Sequence, residues 1–280
     1  MLVGHDVIDE ILQLEVLFVQ GETPAAYPGK NDIPYKSTGH SVLITAFSRF
    51  ILLNGHTSEM RCGGGKITTS KMKLNPQDLE KIAGLTLEHY NRNAEDFHEG
   101  THDHDVSQNI AALLKYIEGE APFTLLDFGC GPGRDLKVFA DLGHIAVGME
   151  GAARFVEMAR VHGSGEVWQQ DFLKLDLPDK HFDGVFANAA LFHVPSQELP
   201  RVLRELHATL KPRGVLFSSN PHGHNEEGWN RGRYGAFYDL ETWRRYMSAA
   251  GFDELTHYYR PAGRPRAQQP WLASVWRGIK

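Results

Sequence analysis

The chain has 280 residues, 41% of them hydrophobic and 23% charged, with a net charge of −6. That is the composition of a globular protein with room for one sizeable domain and an appendage, or for two small domains. The acidic balance argues against bulk nucleic acid or an anionic membrane as the main partner, and no apolar run approaches the roughly 20 residues of a membrane span.

In chain order, the start Met1-Leu2-Val3-Gly4-His5-Asp6 lacks the basic flank of a secretory leader. Residues 1–71 hold an amphipathic stretch from Val7 to Val19, a Gly/Pro-rich polar stretch, an apolar run from Val42 to Leu53, and Cys62-Gly63-Gly64-Gly65. No common period joins these pieces, so they read as an N-terminal extension or linker ahead of a domain over 72–280. Asn75-Pro76 opens a helix with Leu79, Ile82 and Leu85 at helical spacing. Another opens at Asp105, with Gln108 placed for a capping box, and carries Ile110, Leu113, Leu114 and Ile117 on one face.

Strands and helices then alternate. Strands are expected at Thr124–Phe128, Ile145–Met149, Glu166–Gln170, Phe182–Ala187 and Val215–Ser219. Helices are expected at Arg134–Leu142, Ala152–Val161, Gln197–Leu210 and Leu240–Ala250. Two strands, Glu254–Tyr259 and Trp271–Arg277, close the chain with no helix between them. The expected fold class is therefore α/β: a doubly wound, mostly parallel seven-stranded sheet ending in an antiparallel edge hairpin. With only two cysteines, Cys62 and Cys130, no disulfide framework is expected, which fits a reducing cytoplasm.

The run Leu125-Leu126-Asp127-Phe128-Gly129-Cys130-Gly131-Pro132-Gly133-Arg134-Asp135 takes an apolar strand through a glycine turn into a helix. Such a turn brings backbone N–H groups against a nucleotide-like ligand at a helix N-terminus. The dinucleotide fingerprint needs glycines at positions one, three and six. Counted from Gly129 the sixth position is Arg134, and counted from Gly131 it is Leu136, so that reading fails. The run reads Asp-x-Gly-x-Gly-x-Gly and resembles the first motif of the class I S-adenosylmethionine-dependent methyltransferases.

Further polar residues stand at successive strand ends. Glu150 closes the second strand, 17 positions after Gly133, and a carboxylate there can accept both hydroxyls of a ribose. Asp171-Phe172 follows the third strand, where an acid can take an adenine amine and a ring can pack on the base. The resemblance implies S-adenosylmethionine as cofactor, held by Asp127, Gly129, Gly131, Gly133, Glu150, Asp171 and Phe172, with Asn188 at the end of the fourth strand near the methyl group. Arg134 can pair with a methionine carboxylate, and Tyr90 and Phe97 are candidate lid residues.

The fourth strand leads into Ala189-Ala190-Leu191-Phe192-His193-Val194-Pro195, and an Asn/Asp-Pro-Pro-Tyr motif for nucleic-acid bases is absent there. That pattern is similar to small-molecule methyltransferases. His193 is the candidate catalytic residue, orienting substrate or acting as a base. His98, His102 and His104 match no common zinc spacing, and no metal is expected. Asn109, Asn220, Trp229, Arg233, Tyr234 and Arg260 are candidate substrate contacts, since an arginine can clamp a carboxylate bidentately.

A narrower resemblance rests on four segments. His104-Asp105-Val106-Ser107-Gln108-Asn109, Phe192 to Pro200, Ser218-Ser219-Asn220-Pro221 and Tyr258-Tyr259-Arg260-Pro261-Ala262-Gly263 resemble the C-terminal methyltransferase domain of ovothiol biosynthesis enzymes. In those enzymes an iron-dependent sulfoxide synthase precedes the methyltransferase, and residues 1–71 are too short to contain one. The resemblance implies N-methylation of the imidazole ring of 5-thiohistidine, with a sulfoxide synthase as a possible partner or fusion. Two other readings stay open: methylation of another small metabolite (a quinol, amine or thiol), and a non-catalytic cofactor-binding or scaffold protein.

Overall fold

The computed structural model describes residues 73–279; the expectations for residues 1–71, Cys62 included, lie outside the described residues. Three helices come first: α1 (Pro76–Arg92), α2 (Ala94–Thr101) and α3 (Ser107–Tyr116). Asn75 caps α1 through a reciprocal bond with Asp78, with proline at the first helical position. At α3 the capping box does not form. Val106 is the capping residue, and the Asp105 carboxylate accepts from the Ser107 N–H in a local turn. The polar segment after Tyr90 contains α2.

Alternation follows: β1 (Thr124–Phe128), α4 (Arg134–Asp141), β2 (Ile145–Glu150), α5 (Ala153–His162), β3 (Glu166–Gln169), β4 (Phe182–Asn188), α6 (Leu199–Thr209) and β5 (Leu210–Pro221). A two-stranded hairpin, β6 (Glu226–Asn230) and β7 (Arg233–Phe237), is inserted next. Then come α7 (Leu240–Ala249), β8 (Phe252–Arg260) and β9 (Trp271–Gly278). The hairpin turns through Arg231 and Gly232, both at positive φ (49° and 82°), as a twist-matched two-residue connection requires.

Seven strands form one sheet in the order β3-β2-β1-β4-β5-β9-β8, with β9 antiparallel to both neighbours and the other strands parallel. This is the class I methyltransferase arrangement that the sequence predicts. Each face carries its own core. Ile110, Leu113, Leu136, Phe139, Val156 and Ala159 from α3, α4 and α5 cover one side. Leu199, Val202, Leu203 and Leu206 of α6, at one helical stripe, join Trp243 and Met247 of α7 on the other. Leu125 and Leu126 of β1 serve opposite cores, as a central strand buried on both faces must. Strand order reverses between β1 and β4, so the crevice over their C-terminal ends is where such a sheet binds its ligand.

Candidate active site

The three glycines of the turn have different duties. All three sit at positive φ. A Cβ on Gly129 would stand 2.7 Å from Ala190 Cβ and 3.1 Å from Phe172. A Cβ on Gly133 would stand 2.8 Å from Ala159 Cα, so that glycine lets α4 press against α5. Packing alone thus accounts for Gly129 and Gly133. Gly131 differs: at φ +52° a Cβ there would meet nothing within 4 Å among the described residues, so the turn presents bare backbone to open space at this point. That is the surface a ligand can approach.

Beneath the turn lie three buried carboxylates, Asp127, Asp135 and Glu150. Asp127 Oδ2 has no hydrogen-bond partner among the described residues, and burial together with the Asp135 charge pushes its carboxyl well above the usual range. Glu150 is not the free acceptor expected for a ribose. Its Oε1 accepts from the Gly151 and Ala152 N–H groups (2.7 and 2.8 Å), and its Oε2 from Gly131 N–H (3.1 Å). Three of about four acceptor positions are used, so Glu150 first braces the glycine turn. Burial raises its pKa against these bonds.

Arg134 is also spoken for. Its Nε and Nη2 bind the two oxygens of Asp135 (2.7 and 3.0 Å), and its Nη1 donates to the Thr101 carbonyl at the end of α2 (2.8 Å). The expected pairing with a methionine carboxylate gives way to a tie between the glycine-turn helix and the preceding helices. Asp171 Oδ1 accepts from Leu173 N–H, shaping the loop after β3. Phe172 stacks on Phe128 with ring centres 4.4 Å apart, beside Gly129.

Tyr90 and Phe97 pack on Phe155 of α5 (ring centres 5.6 and 5.2 Å apart). His193 Nδ1 lies 2.6 Å from the Tyr234 carbonyl, which only accepts, so Nδ1 carries the proton. Its Nε2 therefore accepts from the Tyr90 hydroxyl at 2.7 Å. Both ring nitrogens are engaged, and burial lowers the pKa to about 4. His193 is a neutral imidazole that orients Tyr90 and ties it to β7; it has no lone pair left for a substrate proton.

The His193 ring has an ordinary pKa near 6.5 when unfolded and about 4 when folded, so the unfolded chain holds the extra proton between those values. Its contribution is present above about pH 6.5 and is lost as the pH falls towards 4, by up to about 3 kcal/mol. Buried Asp127 and Glu150, with raised pKa values, act with the opposite sign. Urea unfolding of wild type and His193→Gln across this window should show the acid-side loss diminished in the variant; parallel pH profiles would refute it.

Asn188, at the end of β4, accepts from Asn109 Nδ2 (3.0 Å) and donates to Asp135 Oδ2 (3.4 Å). The next residue, Ala189, sits at φ +59°, an uncommon conformation for a residue with a Cβ, and turns the chain so that Ala190 meets Gly129. Asn109 is fully buried and also accepts from the Tyr258 hydroxyl at 2.9 Å. Arg260 Nη2 donates to the Asp105 carbonyl (2.8 Å) and its buried Nε has no partner among the described residues. Asn220, 5% exposed at the end of β5, has neither side-chain polar atom bonded among the described residues. Arg233 lies over the Tyr90 ring with Nη1 3.4 Å from its hydroxyl. Tyr234 is buried, its N–H donating to Thr86 Oγ1. Trp229 is the outlier, 39% exposed in a groove with Leu85, His89 and Arg92 on the outer side of α1.

Two residues central to this geometry escaped the sequence reading. Asp135 was in view, yet its link to both Arg134 and Asn188 is tertiary. Tyr258 carries no motif of its own, and only its place in a resembling segment marks it.

A sheet of this order, reversing over a glycine turn floored by acids, has the class I methyltransferase fold. Residues 126–218 match the family described as "Methyltransferase domain". Among curated proteins, it is 27% identical over 181 residues to a sterol 24-C-methyltransferase of Pneumocystis carinii, covering 55% of this chain and 47% of that protein. It is 26% identical over 203 residues to a ubiquinone biosynthesis O-methyltransferase of Histophilus somni, covering 68% and 79%. The chain thus spans about half the length of the sterol enzyme it matches. A similar solved fold is the Burkholderia thailandensis 1,6-didemethyltoxoflavin-N1-methyltransferase, whose structure holds 1,6-didemethyltoxoflavin and S-adenosylhomocysteine. Its TM-score is 0.62 at 20% identity, covering 77% of this chain and 95% of that one.

Proposed function

We propose that this chain transfers the methyl group of S-adenosylmethionine to a ring nitrogen of 5-thiohistidine, the methylation step of ovothiol biosynthesis. The cofactor fits the residues present. It carries an ammonium, a sulfonium, a ribose diol and an adenine. The site offers buried acids with an unpartnered oxygen at Asp127, bare backbone at Gly131, one remaining acceptor position on Glu150, and Asp171 with Phe172 beside the turn. When bound, S-adenosylmethionine supplies an electrophilic methyl group to an in-line nucleophile.

The rest is positioning by the protein. Asn188 fixes the end of β4 beside Asp135, while Tyr90, held by His193 and covered by Arg233, closes the site from α1. The observation that carries the choice of acceptor is the engagement of both His193 nitrogens. A neutral imidazole nitrogen attacks through its own lone pair and needs no histidine base to begin. Two of the four resembling segments also meet in space, through Tyr258 on Asn109 and Arg260 on Asp105, while β5 aligns Ser219 of a third with Asn188.

A second reading, O- or C-methylation of another small metabolite, is favoured by the activities of the curated relatives. Incubation with S-adenosylmethionine and 5-thiohistidine, histidine or a quinol, with product mass measured, separates the two. A singly methylated thiohistidine supports the first reading; methylated quinol alone refutes it.

A further inference from the structure

The strand at the far edge of the sheet is wired to the cofactor crevice. Asp135 sits at the start of α4 with its carboxylate held on both oxygens by Arg134. A carboxylate so paired presents both oxygens as acceptors. The side chain of Asn188 facing Asp135 Oδ2 must therefore present its NH2 group, which leaves its carbonyl oxygen towards α3. Asn109, in turn, must face that oxygen with its own NH2, at 3.0 Å. Its carbonyl oxygen is then left for the Tyr258 hydroxyl, at 2.9 Å, and that hydroxyl must donate.

One charged group thus sets the direction of every bond across three side chains, from α4 through β4 and α3 to β8. Each link is at least partly buried, and Asn109 is wholly so. A reversed amide anywhere in the series would set two acceptors or two donors against each other. The phenol stays neutral as the chain requires, burial pushing its pKa up to about 12.

We propose that Tyr258 and Asn109 are positioning residues that fix the orientation of the Asn188 carboxamide, so that the outer strand β8 sets how tightly the crevice holds its cofactor. This rests on the assignment of the Asp127–Asn188 crevice to S-adenosylmethionine. The other charged or titratable groups facing the series are Asp127 at the end of β1, Arg134 from α4, Arg260 from the same strand as Tyr258, and Asp105 ahead of α3.

The test uses the full chain and S-adenosylhomocysteine as the titrated probe, with binding measured calorimetrically and Tm measured in parallel. Tyr258→Phe is expected to weaken binding about tenfold with a small change in Tm, since only one oxygen is removed. Asn109→Asp keeps the shape and the acceptor for Tyr258 but cannot donate to Asn188 while ionised. It should bind worse still at pH 8 and recover relative to wild type as the pH is lowered, because the protonated carboxyl regains a donor. The double variant should lose less than the product of the single losses.

Wild-type binding that fails altogether would remove the cofactor assignment itself. Wild-type binding that is intact, with both variants within twofold of it at every pH, would overturn the positioning role alone. Lowered Tm with unchanged affinity would count the same way.

Discussion

Gly131→Leu is expected to abolish S-adenosylmethionine binding while leaving the protein folded, and Gly133→Ala to do nearly the reverse. The two glycines lie two residues apart in one turn and both have positive φ, but their surroundings differ. A side chain at Gly131 enters open space in the crevice, so its cost to the fold is the left-handed backbone alone, about 1 kcal/mol. Filling that space should cost the cofactor at least about 100-fold in affinity, some 3 kcal/mol. At Gly133 the added methyl meets the backbone of Ala159 at 2.8 Å, and α4 must move off α5. Strain and overpacking together come to about 3 kcal/mol, or roughly 10 °C in Tm for a domain of this size. Thermal unfolding and calorimetric titration of both variants check the contrast; equal effects on Tm would refute the division of labour in the turn.

The second large effect is expected at Glu150. Its carboxylate gathers three main-chain N–H groups, from Gly131, Gly151 and Ala152. Glu150→Gln replaces one oxygen by an NH2 group, so at least one N–H must face another donor. A buried donor left unpaired costs about 1–3 kcal/mol. The variant should lose roughly 5 °C in Tm and, with Gly131 released, most of its affinity for S-adenosylmethionine. The pH dependence of wild-type binding has a worked sign. Burial raises the pKa of Glu150 and Asp127 in the free protein. A cationic ligand favours their ionised forms, so binding should release protons and weaken as the pH falls through those raised values. Titration in two buffers of different ionisation enthalpy reads the release directly; uptake of protons on binding would contradict it.

The sheet was legible in the sequence because its strands are short apolar runs between glycine turns and because α6 carries one clean stripe, Leu199, Val202, Leu203 and Leu206. The hairpin of β6 and β7 was not. Glu226–Asn230 and Arg233–Phe237 show no alternation, and their only local mark is Arg231-Gly232. The capping box expected at α3 failed for a local reason, since Asp105 bonds two residues on rather than three. Among site residues, spacing located Asp127, Gly131, Glu150 and Asn188 at the strand ends, but not what they bond. Arg134 looked available because residues next to each other on a regular helix do not face one another. At the helix start it nevertheless reaches both oxygens of Asp135. His193 was legible as a residue beside the fourth strand, but its neutral, doubly bonded state depends on Tyr90 from α1 and Tyr234 from β7, 103 and 41 positions away.

The most direct measurement is a calorimetric titration of the wild-type chain with S-adenosylmethionine near neutral pH, with Gly131→Leu as the blocked control. The cofactor assignment predicts saturable one-to-one binding in the wild type and none in the variant. No binding by the wild type, or equal binding by both, would contradict it.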